Sequence, residues 1–314
     1  MQLKAQVEYF GRVLVEKGAT DPDLVVLDAD VSVSTKTSFF QETYPERFIQ
    51  VGISEQDLVG VASGLAVSVK TPVAAAFATF IVGRAWDQLF NTVARQNLNV
   101  KIVGTHSGLS PCADGESHQA IADIAAVRVI PHFSVVVPAD APAAGCLTGE
   151  MIDRRGPVYL RLSRGATPTV YPDDIDLRIG RAETISEGSD VALIAAGNMV
   201  HIALKAAESL QEESVEAKVV DMHTVKPLDQ SAVIESAKET GAIVTVEEHS
   251  VLGGLGGAVS EILSENYPTP LIRVGVMDRF GMTSRNYQRL LERYGLTPAA
   301  VAEAASKVLE AKKR

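Results

Sequence analysis

Short, unbroken apolar runs recur along the first half of the chain, and they limit its fold more than any other feature. They lie at residues 24–27, 72–77, 100–103, 133–137 and 158–162. A strand that is apolar on both faces is buried on both faces, as in a parallel sheet covered by helices. Between the runs, stretches with helical periodicity occur near residues 55–69, 84–96, 117–127 and 142–154. This alternation predicts an α/β fold built on a doubly wound sheet.

The chain is long enough for two domains of ordinary size, because it has 314 residues and 46% of them are hydrophobic. After residue 163 the sequence becomes richer in Pro, Gly and Asp, which is typical of a segment between domains. Strand-like and helix-like stretches then alternate again. We therefore expect two doubly wound α/β domains, at residues 1–168 and 185–314, joined by a linker at residues 169–184.

Charge and cysteine content argue against several classes of partner. The formal net charge is −10 and the one basic run, Lys312-Lys313-Arg314, is short, so we expect neither nucleic acid nor an anionic membrane as a partner. No apolar run approaches the roughly 20 residues that span a bilayer. Cys112 and Cys146 lie far apart and fit a reducing compartment. A cytoplasmic location follows as an expectation.

The loops that follow the predicted strands are the places to look for chemistry, because ligands of parallel sheets bind beyond the carboxyl ends of the strands. The first such loop carries Asp28, Asp30 and Ser34. Aspartate and serine also form turns and helix caps, so a purely structural role stays open. The second loop places Glu55 in the first turn of a predicted helix. Helix capping explains its neighbour Ser54 well but explains Glu55 less well.

Two further loops carry aromatic and histidine side chains. Phe77 and Phe80 follow the next strand, and they are either core residues or a flat apolar wall for a planar ring. The loop at residues 105–119 contains His106 and His118. Their spacing of twelve residues, with no third strong ligand nearby, makes a metal site a weak interpretation. A polar substrate-binding loop is favoured, because histidine can donate, accept and transfer protons near neutral pH.

A glycine-rich segment at residues 253–257 resembles a dinucleotide-binding turn at first sight. Its glycines do not fit the G-x-G-x-x-G pattern, since Leu255 or Val259 falls where a glycine is needed. The preceding residues, Glu247 and Glu248, are acidic, which disfavours a pyrophosphate. We predict a tight turn that lets a helix pack closely on the sheet.

Three motifs, in order and spacing, resemble those of transketolases. They are GISEQ at residues 52–56, the Phe77–Phe80 pair followed by GRAWDQ at 83–88, and the stretch from Thr105-His106 to DGESHQ at 114–119. The resemblance covers essentially the whole chain. It implies a thiamine-diphosphate pyrimidine-binding domain followed by a transketolase-type C-terminal domain.

The resemblance implies a transferase that moves a two-carbon ketol unit between a ketose and an aldose with thiamine diphosphate as cofactor. Glu55 would be catalytic, because it would share a proton with a ring nitrogen of the cofactor's aminopyrimidine. Phe77 and Phe80 would pack on that ring, and Asp30 would lie near the cofactor.

Further residues would bind the substrate by the same resemblance. His106 and His118 would be catalytic and, with Asp114, would bind the sugar. Ser34 and Arg164 match positions that contact the sugar's phosphate.

The sequence departs from the family pattern in three ways. A second phosphate-binding arginine is missing near the start, where Lys4 and Arg12 do not align convincingly. Gly83 stands where a tyrosine is often found, which opens the pyrimidine pocket. No Gly-Asp-Gly motif is present.

In transketolases a Gly-Asp-Gly motif and a downstream asparagine hold the divalent metal that binds the diphosphate of the cofactor. By the resemblance, the missing motif implies a partner subunit that binds the diphosphate and Mg²⁺ or another divalent metal, in a two-by-two heterotetramer. This chain would then hold no metal ligands. The alternatives are the beta subunit of a 2-oxoacid dehydrogenase or decarboxylase, an enzyme like deoxyxylulose-phosphate synthase, and a non-catalytic subunit with the same fold.

Overall fold

Two mostly parallel sheets organise the chain in the computed structural model, which describes residues 2–312. Lys313 and Arg314 of the basic run lie outside the described residues. The strands, in chain order, are β1 (Leu3–Ala5), β2 (Leu24–Asp28), β3 (Phe48–Gln50), β4 (Thr71–Phe77), β5 (Lys101–Thr105), β6 (Ser134–Val136), β7 (Val158–Arg161), β8 (Ala166–Pro168), β9 (Glu183–Ser186), β10 (Val191–Ala195), β11 (Ala217–Asp221), β12 (Thr224–Lys226), β13 (Ile243–Ser250) and β14 (Leu271–Val276).

The α-helices cover the faces of the sheets. In chain order they are α1 (Gln6–Thr20), α2 (Ser32–Thr35), α3 (Ser38–Thr43), α4 (Glu55–Val67), α5 (Ala78–Arg84), α6 (Asp123–Arg128), α7 (Ala141–Asp153), α8 (Met199–Glu212), α9 (Gln230–Thr240), α10 (Leu255–Asn266), α11 (Tyr287–Arg293) and α12 (Pro298–Lys312). Within the described residues, none of these helices has the length and apolarity needed to cross a membrane.

The first sheet has seven strands in the order β12-β6-β7-β5-β4-β2-β3. All five predicted apolar runs form strands of this sheet, and these strands are buried almost throughout. The strands from β6 to β3 pair in parallel, while β12 adds to the edge in the antiparallel direction. The predicted doubly wound α/β fold is therefore confirmed.

The second sheet has five strands in the order β14-β13-β10-β11-β9, and β9 is its antiparallel edge strand. One strand crosses between the two halves of the chain, because β12 follows β11 in sequence but pairs with β6 of the first sheet. The domain boundaries at residues 168 and 185 remain a prediction.

The expected helix at 84–96 is helical over most of its length but differs in its start and in its type. Helix α5 ends at Arg84, Ala85 interrupts the helical backbone, and the helix resumes at Trp86 and continues as a π-helical segment, Gln88–Ala94. The ring of Trp86 stacks on Phe90 with centroids 5.1 Å apart, and its indole donates to the carbonyl of Ala126.

The expected helix at 117–127 is also shorter in the structure. Gly115, with a φ of 96°, precedes a single 3₁₀ turn, Glu116–His118, and α6 begins only at Asp123. Asp123 is buried and its carboxylate binds Arg161 and the hydroxyl of Tyr159. That fixed carboxylate sets the position at which the helix begins.

Candidate active site

The loops that follow β2, β4 and β5 meet at one edge of the first sheet, because these three strands are parallel neighbours. Phe77 at the end of β4 lies opposite Thr105 at the end of β5, so His106 comes next to Phe77. The structure therefore brings together most of the residues that the sequence analysis selected.

Glu55 is the first residue of α4 and only 5% of it is exposed. Arg84 Nη1 donates to both oxygens of its carboxylate at 2.9 Å. Ser54 occupies the N-cap position, but its side chain makes no capping hydrogen bond. The structure thus gives Glu55 an ion-pair partner that was not selected from the sequence, although Arg84 lies within the GRAWDQ motif. A basic residue at the end of the helix after the neighbouring strand is the signal that could have indicated it.

An aromatic cluster forms beside Glu55. The ring of Phe77 stacks on His106 with centroids 4.0 Å apart, and the edge of one ring in the Phe80–His118 pair faces the other at 5.1 Å. The guanidinium of Arg84 lies 4.1 Å from the centre of the Phe80 ring. Both phenylalanines are half-buried rather than core residues. They leave aromatic surface available at the sheet edge.

The two histidines differ in their surroundings. His106 is buried, has a positive φ of 56°, and its Nδ1 lies 3.1 Å from the hydroxyl of Thr105. Burial, aided by the positive charge of Arg164, lowers the pKa of His106 to about 4, so its ring is neutral at pH 7. His118 is half-buried, with Nδ1 3.1 Å from the hydroxyl of Ser117.

Arg164 lies at the other end of this site and forms an ion pair with Asp114 at 2.6 Å. Ser34, His106 and Arg164 line one cavity of about 320 Å³, together with Lys36. The residues selected for sugar and phosphate binding are therefore close to one another.

Asp28 has the structural role that was left open for the first loop, because it stabilises the turn after β2. Its buried carboxylate accepts hydrogen bonds from the backbone of Val31 and from the hydroxyls of Thr35 and Thr37. Asp30, in contrast, is exposed and has a positive φ of 64°. The turn therefore explains Asp28. The carboxylate of Asp30 forms no hydrogen bond or ion pair with the described residues.

A larger cavity of about 740 Å³ opens beside the aromatic cluster. Gly83 lines it, and a Cβ at Gly83 would meet nothing within 4 Å. Gln119 and Phe280 also line this cavity, whereas Glu55 does not. Gly83 therefore borders open space, and the prediction that this space belongs to the pyrimidine pocket stays a prediction.

The glycine-rich turn binds a carboxylate of the chain itself. Glu247 accepts hydrogen bonds from the backbone N–H groups of Leu255 and Gly256, both at 2.8 Å. A Cβ at Gly254 would lie 2.0 Å from the Glu247 carboxylate, so glycine is needed there. The N-terminus of α10 therefore already has an anion, which agrees with the rejection of a dinucleotide site.

Buried histidines make the stability of the chain sensitive to acid. Burial lowers the pKa of His106, His201 and His223 to about 4, below the usual 6.5. Between these pH values the unfolded chain takes up three protons that the folded chain does not. Asp221 acts in the opposite direction, because burial raises its pKa to about 8 and it is protonated in the folded state. Burial raises the pKa of Asp28, Asp140 and Glu248 as well, so these carboxyl groups also oppose the histidines. Each histidine by itself lowers the free energy of unfolding by about 1.4 kcal/mol per pH unit near pH 5.

We expect the free energy of unfolding of the unaltered chain, measured with urea, to decrease relative to that of a His201→Asn variant as the pH is lowered from 6.5 towards 4. The two pH dependences should differ by one proton. The exposed residue His132 provides the matched control, and His132→Asn should leave the slope unchanged. Equal slopes for the His201 variant and the unaltered chain would contradict the assignment.

Comparison with known proteins agrees with this geometry. Residues 4–169 match the model "Transketolase, pyrimidine binding domain" and residues 180–301 match "Transketolase, C-terminal domain". The fold and the site thus define an enzyme chain built from a pyrimidine-binding and a C-terminal domain. The chain belongs to the transketolase family.

Several relatives are subunits of similar length. The chain is 39% identical to the 6-deoxy-6-sulfo-D-fructose transketolase subunit of Clostridium sp. (strain MSTE9), with 96% of this chain and 93% of the relative covered. It is 38% identical to one of the subunits of the apulose-4-phosphate transketolase of Phocaeicola vulgatus, with 94% and 95% covered. A solved structure described as a split gene transketolase, inactive beta4 tetramer, superposes with a TM-score of 0.92 at 48% identity, with 98% and 99% covered.

The chain also matches 1-deoxy-D-xylulose-5-phosphate synthases at 35–38% identity, but it spans only 40–47% of their length. The prediction of a transketolase subunit, a transferase, is therefore confirmed at the level of the family. The roles of the individual site residues remain predictions.

Proposed function

We propose that this chain transfers a two-carbon ketol unit from a ketose to an aldose, using thiamine diphosphate in a site shared with a partner subunit. The observation that carries the proposal is the buried carboxylate of Glu55 at the sheet edge, beside the half-buried rings of Phe77 and Phe80. A planar, polar heterocycle needs this combination, namely a fixed acceptor at its rim and apolar surface at its face.

The residues present fit the aminopyrimidine of that cofactor. Each carboxylate oxygen has two lone pairs, so Glu55 can accept from Arg84 and still bind a ring nitrogen. In this proposal Glu55 shares a proton with that nitrogen, and Phe80 supports the ring. Asp30 lies at the neighbouring strand end. When bound, thiamine diphosphate supplies the nucleophilic carbon for the transfer.

The polar end of the site is assigned to the sugar. His106 is neutral at pH 7, so it can both donate and accept a hydrogen bond at a hydroxyl or carbonyl oxygen. His118, whose ring lies 5.1 Å from that of Phe80, would exchange protons with the substrate. Asp114 would accept from a sugar hydroxyl, and Arg164 with Ser34 would bind a phosphate.

The partner completes the proposal. Relatives that this chain matches over nearly their whole length are described as subunits. No group of three or more His, Cys, Asp or Glu side chains that could hold a metal occurs among residues 2–312. We therefore assign the diphosphate and Mg²⁺ to the partner, in a two-by-two heterotetramer. A cytoplasmic location and the domain boundaries at 168 and 185 belong to the same proposal.

Reconstitution tests this function. We expect the chain alone to show no two-carbon transfer, and the complex with its partner to be active only with thiamine diphosphate and Mg²⁺. The control is the partner alone, which should also be inactive. Transfer by this chain in the absence of any partner would contradict the shared site, and activity of the complex only with 2-oxoacids would contradict the ketol transfer.

A further inference from the structure

The cavity beside Arg164 is lined by a basic side chain, Lys36, that was not selected from the sequence. Ser34, Lys36, His106 and Arg164 line this space of about 320 Å³, and Glu8 lies at its wall. Lys4 and Arg12, the basic residues considered near the start of the chain, do not line it. The ammonium of Lys4 binds Asp173 at 2.7 Å instead.

The position of Lys36 is fixed by its backbone. The residue ends the short helix α2 with a φ of 67°, a left-handed conformation that costs a side-chain-bearing residue roughly 1 kcal/mol. Its carbonyl oxygen and Cβ pack against α1 so closely that a Cβ at Gly11 would lie 2.7 Å from that oxygen. Glycine or asparagine would adopt this conformation more easily. Residues held in such a strained conformation cluster at active sites and ligand-binding sites.

The charge of Lys36 is available to a ligand. Arg164 is already paired with Asp114 at 2.6 Å. Lys36 is half-buried, its ammonium lies 5.9 Å from the centre of the Phe39 ring, and it forms no ion pair within residues 2–312. Of the two basic side chains that line this cavity, Lys36 is therefore the one without an ion-pair partner among residues 2–312.

We propose that Lys36 supplies the second cation that binds the phosphate of the sugar, next to Arg164 and Ser34. This inference rests on the proposed function and adds a determinant of substrate class to it. An ammonium group offers three donors to phosphate oxygens. Glu8, which lines the same cavity, opposes the binding of an anion, so the two side chains together set the preference for phosphorylated sugars.

Kinetics of the reconstituted complex with D-ribose 5-phosphate and D-ribose as acceptors test the proposal. We expect Lys36→Asn, a residue that tolerates the left-handed backbone, to raise the KM for ribose 5-phosphate relative to that for ribose by about 10- to 100-fold, the loss of one charged hydrogen bond. Lys36→Arg should restore most of the preference. Glu8→Gln should shift the ratio in the opposite direction. Lys307, an exposed lysine on α12 that pairs with Glu303, is the control, and Lys307→Gln should leave the ratio of the two KM values unchanged.

A binding measurement makes the test independent of turnover. Inorganic phosphate should raise the melting temperature of the unaltered chain above that in sodium chloride of equal ionic strength, and the Lys36→Asn variant should lose this difference. An unchanged KM ratio together with an unchanged phosphate effect in this variant would overturn the proposal. Absence of transfer to either acceptor by the unaltered complex would instead overturn the proposed function, while the phosphate effect still decides the role of Lys36.

Discussion

Replacement of Glu55 by glutamine should lower the kcat of the reconstituted complex by about 10²- to 10⁴-fold, the usual contribution of a positioned acid–base group. Glutamine preserves the shape of the side chain and an oxygen for Arg84, whose Nη1 contacts both Glu55 oxygens. It cannot take up or release a proton as the carboxylate does. The measurement is two-carbon transfer at saturating cofactor, with the fold checked by circular dichroism.

Asp57 provides a matched control for this variant. It lies in the same first turn of α4, but it is exposed, and its carboxylate forms no ion pair or side-chain hydrogen bond within residues 2–312. Asp57→Asn removes one negative charge from the helix N-terminus and should cost only about 0.3–1 kcal/mol of stability, without loss of turnover. Equal turnover in the Glu55 variant and the unaltered protein would refute the assigned role of Glu55, whatever the family relationship.

The strands were predictable because their signal is local. The run at 72–77 is apolar at every position, and the structure forms β4 over Thr71–Phe77, buried on both faces. Helix α1 was not predicted, because Gly11 and Gly18 weaken its helix propensity. Both glycines are required by tertiary contacts. A Cβ at Gly18 would lie 2.7 Å from the rings of Phe40 and Tyr44.

The site was predictable in part for a similar reason. Phe77 and His106 stand at the ends of β4 and β5, and Glu55 begins the helix that follows β3. The parallel order of these strands brings the three residues to one edge of the sheet. Their partners come from elsewhere. The pairing of Glu55 with Arg84 and the position of Lys36 in the cavity depend on how helices pack, which the sequence pattern does not encode.

The loop at 105–119 depends on the second half of the chain. Glu248 in β13 accepts a hydrogen bond from the backbone of Leu109 at 2.6 Å and from the hydroxyl of Tyr287 at 2.7 Å. Gly108 must be glycine there, since its φ is 60° and a Cβ would lie 2.6 Å from the Glu248 carboxyl group. Substrate-loop geometry is therefore set by residues about 140 positions away.

Replacement of Arg161 by methionine should lower the free energy of unfolding by about 3–5 kcal/mol, because it leaves a buried charge without its partner. Arg161 and Asp123 are both buried and contact each other at 2.7 Å. Burial alone would raise the pKa of Asp123, but the charge of Arg161 holds it below its usual value. Arg161 also donates to the carbonyls of Ala120 and Glu248, so it ties the substrate loop to the second sheet.

A double variant separates the charge from the ties to the backbone. Arg161→Met combined with Asp123→Leu removes both charges, and it should recover part of the stability lost in the single variant, since a buried pair is often replaceable by apolar side chains. The carbonyls of Ala120 and Glu248 and the hydroxyl of Tyr159 would still lack their partners. Transfer activity should therefore stay low in the double variant even where urea unfolding shows recovery. Recovery of both properties together would mean that the ion pair stabilises the fold without positioning the loop that carries His106 and His118.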